Sequence, residues 1–230
     1  MLGAKIEITL PYFACFRPKT STSLIITRPI PPFTTIIGMF GNAKGIHWTE
    51  YPAFSERAEE LLLMNIRPLQ LDKSQREVAK LLKLKGGEER GAGRITSFPS
   101  SPMYRYFLVR PSYVLYIASE DEEYLRDLLT ALHQPFRPLY LGQSDDMVIV
   151  DVVWEGEVEE GEGSEVWGLI YGMYEGCEYI TLPLAYGERE NPPIFSLPPS
   201  FPFQIDFNLP LFFFQEEGVP LYNKRTLPLS

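Results

Sequence analysis

Apolar and polar positions alternate strictly in AKIEITL. Ile6, Ile8 and Leu10 fall on one side and Lys5, Glu7 and Thr9 on the other, which predicts a half-buried strand near the start of the chain. Pro29, Pro31 and Pro32 then force extended backbone. Beyond them the period changes. Ile36, Ile37, Phe40 and Ala43 recur at helical intervals in TTIIGMFGNAKG, with Thr34 or Thr35 as N-cap and Gly45 as the stop. SERAEELLLM predicts a second helix. SQREVAKLLKLKGG predicts a third, in which Ser74 and Glu77 form a capping box and Val78, Leu81 and Leu82 form the buried stripe. Gly86 and Gly87 would end it, and Arg76, Lys80, Lys83 and Lys85 would occupy its other face.

MYRYFLVRPSYVLYIAS contains two aromatic and β-branched runs split at Pro111 and Ser112, the pattern of a hairpin. SEDEEYLRDLLTALHQP predicts a helix with a capping box at Ser119 and Glu122, an apolar face of Tyr124, Leu125, Leu128, Leu129 and Leu132, and a stop at Pro135. MVIVDVVW reads as a buried strand. The order strand, helices, strand, strand, helix, strand is that of an α+β, ferredoxin-like domain. It is expected over residues 1–154, with a long Gly-, Ser- and Pro-rich loop at about 86–102. From residue 155 acids and glycines crowd together, and nine prolines fall between Pro183 and Pro228. Residues 155–230 therefore read as a small, acidic, proline-rich β appendage.

Charge sharpens that division. The net charge is −9, yet residues 1–113 hold 16 Lys and Arg against 9 Asp and Glu, and residues 114–230 hold 5 against 21. A basic face and an acidic face with different partners would follow, as would two independent solvated surfaces. The segment 13–45 carries Arg17, Lys19, Arg28 and Lys44 and no acid. Cys15 and Cys177 are too few for a disulfide framework, and with His47 and His133 they have no metal-ligand spacing, so neither metal nor cofactor is expected. The longest apolar runs, LLLM and LFFF, fall far short of a membrane span, and no signal peptide is visible. A soluble, cytoplasmic protein without a membrane partner is the expectation.

A basic, Ser/Thr-rich loop that runs into a helix start offers phosphate donors of three kinds: cationic side chains, hydroxyls and helix N-terminal amides. Gly38 and Gly41 share a face of that helix and fit either a close backbone approach or helix–sheet packing. Arg90, Arg94, Arg105 and Arg110 are interleaved with Phe98, Tyr104 and Tyr106, which fits single-stranded nucleic acid or a plain solvated loop. His47, Tyr51 and Lys44 lie near one another in sequence and could cleave RNA without metal by acid–base help. The alternative for His47 is a surface residue, and for His133 a helix-dipole partner. The acidic run EGEVEEGEGSE reads as a solvated turn. In PLYLGQSDD, Gly142 fits a positive-φ or close-contact position, and Asp145 and Asp146 are weak catalytic candidates.

Three stretches in order, FRP…RPIPPFTTIIGMFGNAKG, YRYFLVRPSYVLYI and PLYLGQSDD, resemble the CRISPR-associated Cas-five subunits of the RAMP superfamily, over roughly residues 13–146. The resemblance implies a ferredoxin-like, RRM-related domain at one end of a type I Cascade effector complex. Such a subunit holds the 5′ handle of the CRISPR RNA in antiviral defence, caps the backbone RAMP subunits and contacts the large subunit. The loop at 86–102 corresponds to the thumb that wedges against the RNA. Arg17, Lys19 and Arg28 match basic positions of the first loop, Gly38 matches the helix glycine, and Arg90 and Arg94 match by loop position. In the type I-C branch the subunit itself cuts precursor RNA with Tyr, Lys and His. No full set aligns here, which favours binding over metal-independent endoribonuclease activity. A protein-interaction scaffold without an RNA site is a further alternative.

Overall fold

The computed structural model of the chain describes residues 1–18, 24–82, 100–143, 145–186 and 192–227. The opening alternation forms β1 (Leu2–Thr9), followed by the short β2 (Phe13–Ala14). Two helices, α1 (Phe33–Ala43) and α2 (Tyr51–Leu61), lead to β3 (Leu63–Gln70). Next come β4 (Gln75–Leu82), β5 (Ser100–Val109), β6 (Ser112–Ser119), α3 (Glu122–His133) and β7 (Ile149–Glu157). The remaining strands are β8 (Glu159–Val166), β9 (Ile170–Tyr171), β10 (Glu178–Thr181), β11 (Ile194–Leu197), β12 (Phe203–Phe214) and β13 (Glu217–Val219).

The central sheet has the order β3-β6-β1-β7, with each neighbouring pair antiparallel. Its inner strand β6 is buried on both faces. Tyr113, Leu115 and Ile117 join Ile6 and Ile8 in a core shared with α1 and α3. Val114, Tyr116 and Ala118 face the opposite way, onto Phe214, Val219 and Leu221 of the C-terminal segment. Alternating side chains place successive residues on opposite faces, so one strand serves two cores. Each large apolar side chain taken fully out of water stabilises by about 1.5–3 kcal/mol. Gly3 makes room for the second layer: a Cβ there would lie 2.2 Å from Val158 Cγ2. Beneath this layer, Glu217 accepts from Lys5 Nζ at 2.6 Å, Tyr116 Oη at 3.0 Å and Arg67 Nη2 at 3.3 Å. Arg67 also stands over the Trp167 ring.

Several expectations are corrected. The stretch read as a third helix is the strand β4, paired with β5 from Gln75↔Phe107 to Leu82↔Ser100. Its ion pair, Glu77 with Arg105 at 2.7 Å, lies across strands rather than along a helix. The expected hairpin is a turn between sheets. β5 pairs with β4 and β2, whereas β6 enters the central sheet, because only there are both of its faces covered. β7 is an edge strand and only half-buried: Val150 and Val152 pack on the helix-side core while Ile149 and Val153 are exposed. The acidic run is not a turn. It lies mostly in β8, whose Gly161 and Gly163 sit under Phe213 and Leu211 of β12 while Glu160, Glu162 and Glu165 face water. Pro32, rather than Thr34 or Thr35, occupies the N-cap of α1, and Asp121, accepting from Tyr124 N, caps α3 in place of Ser119. The loop expected at 86–102 lies outside the described residues up to 99.

Candidate nucleic-acid interface

The basic opening segment is folded into a bridge. Arg28 N donates to Phe16 O at 3.0 Å, and Phe16 N donates to Thr27 Oγ1 at 3.0 Å. This pairing sets Arg17 beside Arg28 although ten residues separate them in the chain. On the far side, Arg28 Nε donates to Thr181 O at 2.9 Å and so ties the segment to the end of β10. Burial lowers the Arg28 pKa from its ordinary value, but a guanidinium stays charged at neutral pH.

The turn after α3 closes the other side. Gly45 adopts φ +71° at the end of α1, and a Cβ there would lie 2.4 Å from Phe136 Cδ1. The missing side chain lets Phe136 N donate to Ala43 O at 2.7 Å. Arg137 is thereby brought to the C-terminal end of α1, where its guanidinium lies 3.4 Å from Gly45 O and from Ile46 O. A cation is favoured there by the helix dipole. Gly142, at φ +111°, has no room for a side chain: a Cβ would lie 2.9 Å from Asp146 Oδ2. Asp146 Oδ2 accepts from Cys15 N at 3.0 Å and Gln143 N at 3.1 Å, stapling this turn to the basic segment. That is a structural role, and it accounts for Asp146 without chemistry.

Between these walls lies an open cleft of about 1100 Å³. Arg17, Arg28 and Arg137 line it, together with Thr34, Thr35 and Gly38 of α1. Pro32 gives α1 no side-chain cap, and the first turn holds no acid, so the positive end of the helix opens onto the cleft. Among the described lining residues there is no Asp or Glu. The charged side chains among the described lining residues are therefore all cationic.

His47 and Tyr51 line the same cleft, but Lys44 does not; it is ion-paired with Asp127 of α3. Burial, then the nearby Tyr186, pushes the Tyr51 hydroxyl up to about 12, so it stays protonated at neutral pH. Gly38 and Gly41 face Tyr51 and Phe54 of α2 rather than the sheet or another backbone. Only Gly41 is tight: a Cβ there would lie 3.2 Å from both rings. Arg105 sits on β5 in its pair with Glu77 and is not among the cleft-lining residues. Lys19, Arg90 and Arg94 lie outside the described residues. Arg137, Trp48, Tyr140 and Tyr186 are cleft residues that the sequence reading did not single out. The signal for Arg137 was present, since it stands directly before the PLYLG turn. Among the described residues no group of His, Cys, Asp and Glu could hold a metal ion, and no helix is long and apolar enough to cross a membrane.

A family model described as CRISPR-associated protein (Cas_Cas5) matches residues 5–196. The chain belongs to that family. Its fold agrees: a CRISPR protein from Archaeoglobus fulgidus, 13% identical, superposes with a TM-score of 0.59 over 97% of this chain and 99% of that one. A solved Cas protein is 20% identical at a TM-score of 0.41, covering 63% of this chain and 58% of that one. A chain of a CRISPR RNA-guided surveillance complex is 11% identical at a TM-score of 0.46, covering 90% of this chain and 91% of that one. No curated protein matches the sequence. In this Cas5-family chain every described cleft-lining residue, from Arg17 to Pro192, lies within the matched span.

Proposed function

We propose that this chain is the CRISPR RNA-binding subunit of a type I Cascade complex, holding the 5′ handle of the CRISPR RNA and capping the backbone RAMP subunits, next to the large subunit. The observation that carries the reading is the cleft lined by Arg17, Arg28 and Arg137, the open N-terminus of α1, and no described carboxylate. Guanidinium groups, threonine hydroxyls and backbone amides are the groups that bind a ribose-phosphate strand. The sheet order and the flanking helices support a ferredoxin-like, RRM-related domain over residues 1–154, with residues 155–230 as its β-rich appendage. The acidic β8 faces water, contributes no residue to this cleft and would disfavour RNA there, leaving that side for protein neighbours.

Binding of fluorescein-labelled repeat-derived RNA to the purified chain tests the reading. Arg17→Ala and Arg28→Ala should each weaken binding several-fold at moderate salt, and unchanged affinity in both would overturn it. A second reading, metal-independent cleavage of precursor RNA, is favoured by one observation: His47 and Tyr51 share the cleft. Incubation of repeat RNA with the chain in EDTA decides it. A specific cut abolished by His47→Ala would establish cleavage, and intact RNA would dismiss it.

A further inference from the structure

Trp48 is 77% exposed, an unusual placement for the largest apolar side chain. It does not hang from a slack loop. Ile46 N donates to Gly41 O at 2.9 Å, Glu50 N to His47 O at 2.9 Å and Tyr51 N to His47 O at 3.0 Å, so residues 46–51 form a bonded turn between α1 and α2. His47 Nδ1 lies 2.8 Å from Thr49 Oγ1, which fixes the imidazole, and that ring stands 5.6 Å from the Trp48 ring at 45°. A rigid turn thus holds an indole at the rim of a cleft whose lining includes three arginines and no described acid.

We propose that Trp48 is the stacking platform for one unpaired base of the bound RNA, with Arg17, Arg28 and Arg137 holding the phosphates around it. The proposal rests on the RNA-binding reading of this cleft and names the part of the ligand that one side chain takes. Unstacked bases are recognised on aromatic faces, and every base offers a π-face, so the contact selects for an unpaired base rather than for a sequence. Ile26, Met39, Pro183 and Pro192 also line the cleft, but its three arginines and its lack of a described carboxylate favour a phosphate-bearing ligand over a protein anchor at the indole. Because the turn is bonded before ligand arrives, little ordering entropy is lost on stacking.

The experiment measures anisotropy of labelled repeat-derived RNA with the wild-type chain, Trp48→Ala, Trp48→Phe and Arg137→Ala, using RNAs that carry a single abasic site at each unpaired position in turn. Trp48→Ala should weaken binding on the order of tenfold, with Trp48→Phe in between. Its salt dependence should match wild type, because no phosphate contact is lost. One abasic position should weaken wild type but have no further effect on Trp48→Ala. Undiminished affinity of Trp48→Ala, alongside weakened Arg137→Ala, would overturn the stacking role while leaving the RNA-binding reading intact. Equal sensitivity of wild type and Trp48→Ala at every abasic position would overturn it as well. No binding by any form would overturn both.

Discussion

Asp146 shows how a single buried group sets up the cleft. Burial lifts its carboxyl above the ordinary 3.8, against the pull of the hydrogen bonds from Cys15 N and Gln143 N. The folded chain therefore keeps this proton where the unfolded chain has released it. The stabilisation is complete below pH 3.8 and is lost as pH rises through the raised value. Asn at this position keeps an acceptor oxygen for both amides and does not titrate. The unfolding free energy of wild type relative to Asp146→Asn should fall as pH rises from below 3.8 to neutral. Denaturant titrations at both ends of that range check it, and a constant difference contradicts the burial argument. The need for glycine at 142 was readable in PLYLGQSDD, because a turn glycine before polar residues announces a close contact. The Asp146–Cys15 staple was not, since it joins residues 131 positions apart.

At the scale of elements, local periodicity succeeded where an element packs by its own stripe and failed where its neighbours decided. β1, α1 and α3 formed as their patterns demanded. β4 did not, although its capping box and apolar stripe fit a helix. Leu81 and Leu82 end a strand whose partner β5 supplies Arg105 to Glu77 and Tyr104 to Arg76, 4.9 Å from the guanidinium carbon to the ring centroid. Cross-strand pairs of this kind are the unit of sheet stabilisation and override a weak helix propensity. Arg105→Glu places two like charges opposite each other at about 0.2–1 kcal/mol per exposed pair. Amide exchange should accelerate in β4 and β5 while the global melting temperature changes little. Unaltered exchange in both strands would mean that the pair contributes nothing to this arm.

At the scale of the whole molecule, the C-terminal segment covers the second face of the central sheet. Glu217 gathers Lys5, Arg67 and Tyr116 beneath the second core, with 17% of its side chain exposed. Glu217→Ala leaves two cations without their shared partner in a poorly solvated site, at a cost of about 3 kcal/mol. Urea denaturation should show that loss, and a change under about 0.5 kcal/mol would place the pairs effectively in solvent. The sequence showed the front half as basic and the back half as acidic. It did not show that the back half contributes to the cleft, through Thr181, Pro183 and Tyr186. Those residues reach it because Arg28 bonds Thr181 O and because Tyr186 N donates to Glu59 Oε1 at 2.8 Å, contacts that no local pattern encodes.

The claim that joins these scales is that the three arginines converge on a ribose-phosphate strand. The most direct measurement is the slope of log affinity against log salt for repeat-derived RNA, compared between wild type and the combined Arg17→Ala, Arg28→Ala, Arg137→Ala chain. Each lost phosphate contact to a single strand should lower the slope by about 0.7, so the combined chain should fall by roughly 2. Equal slopes, or no RNA binding by the wild-type chain, would contradict the claim.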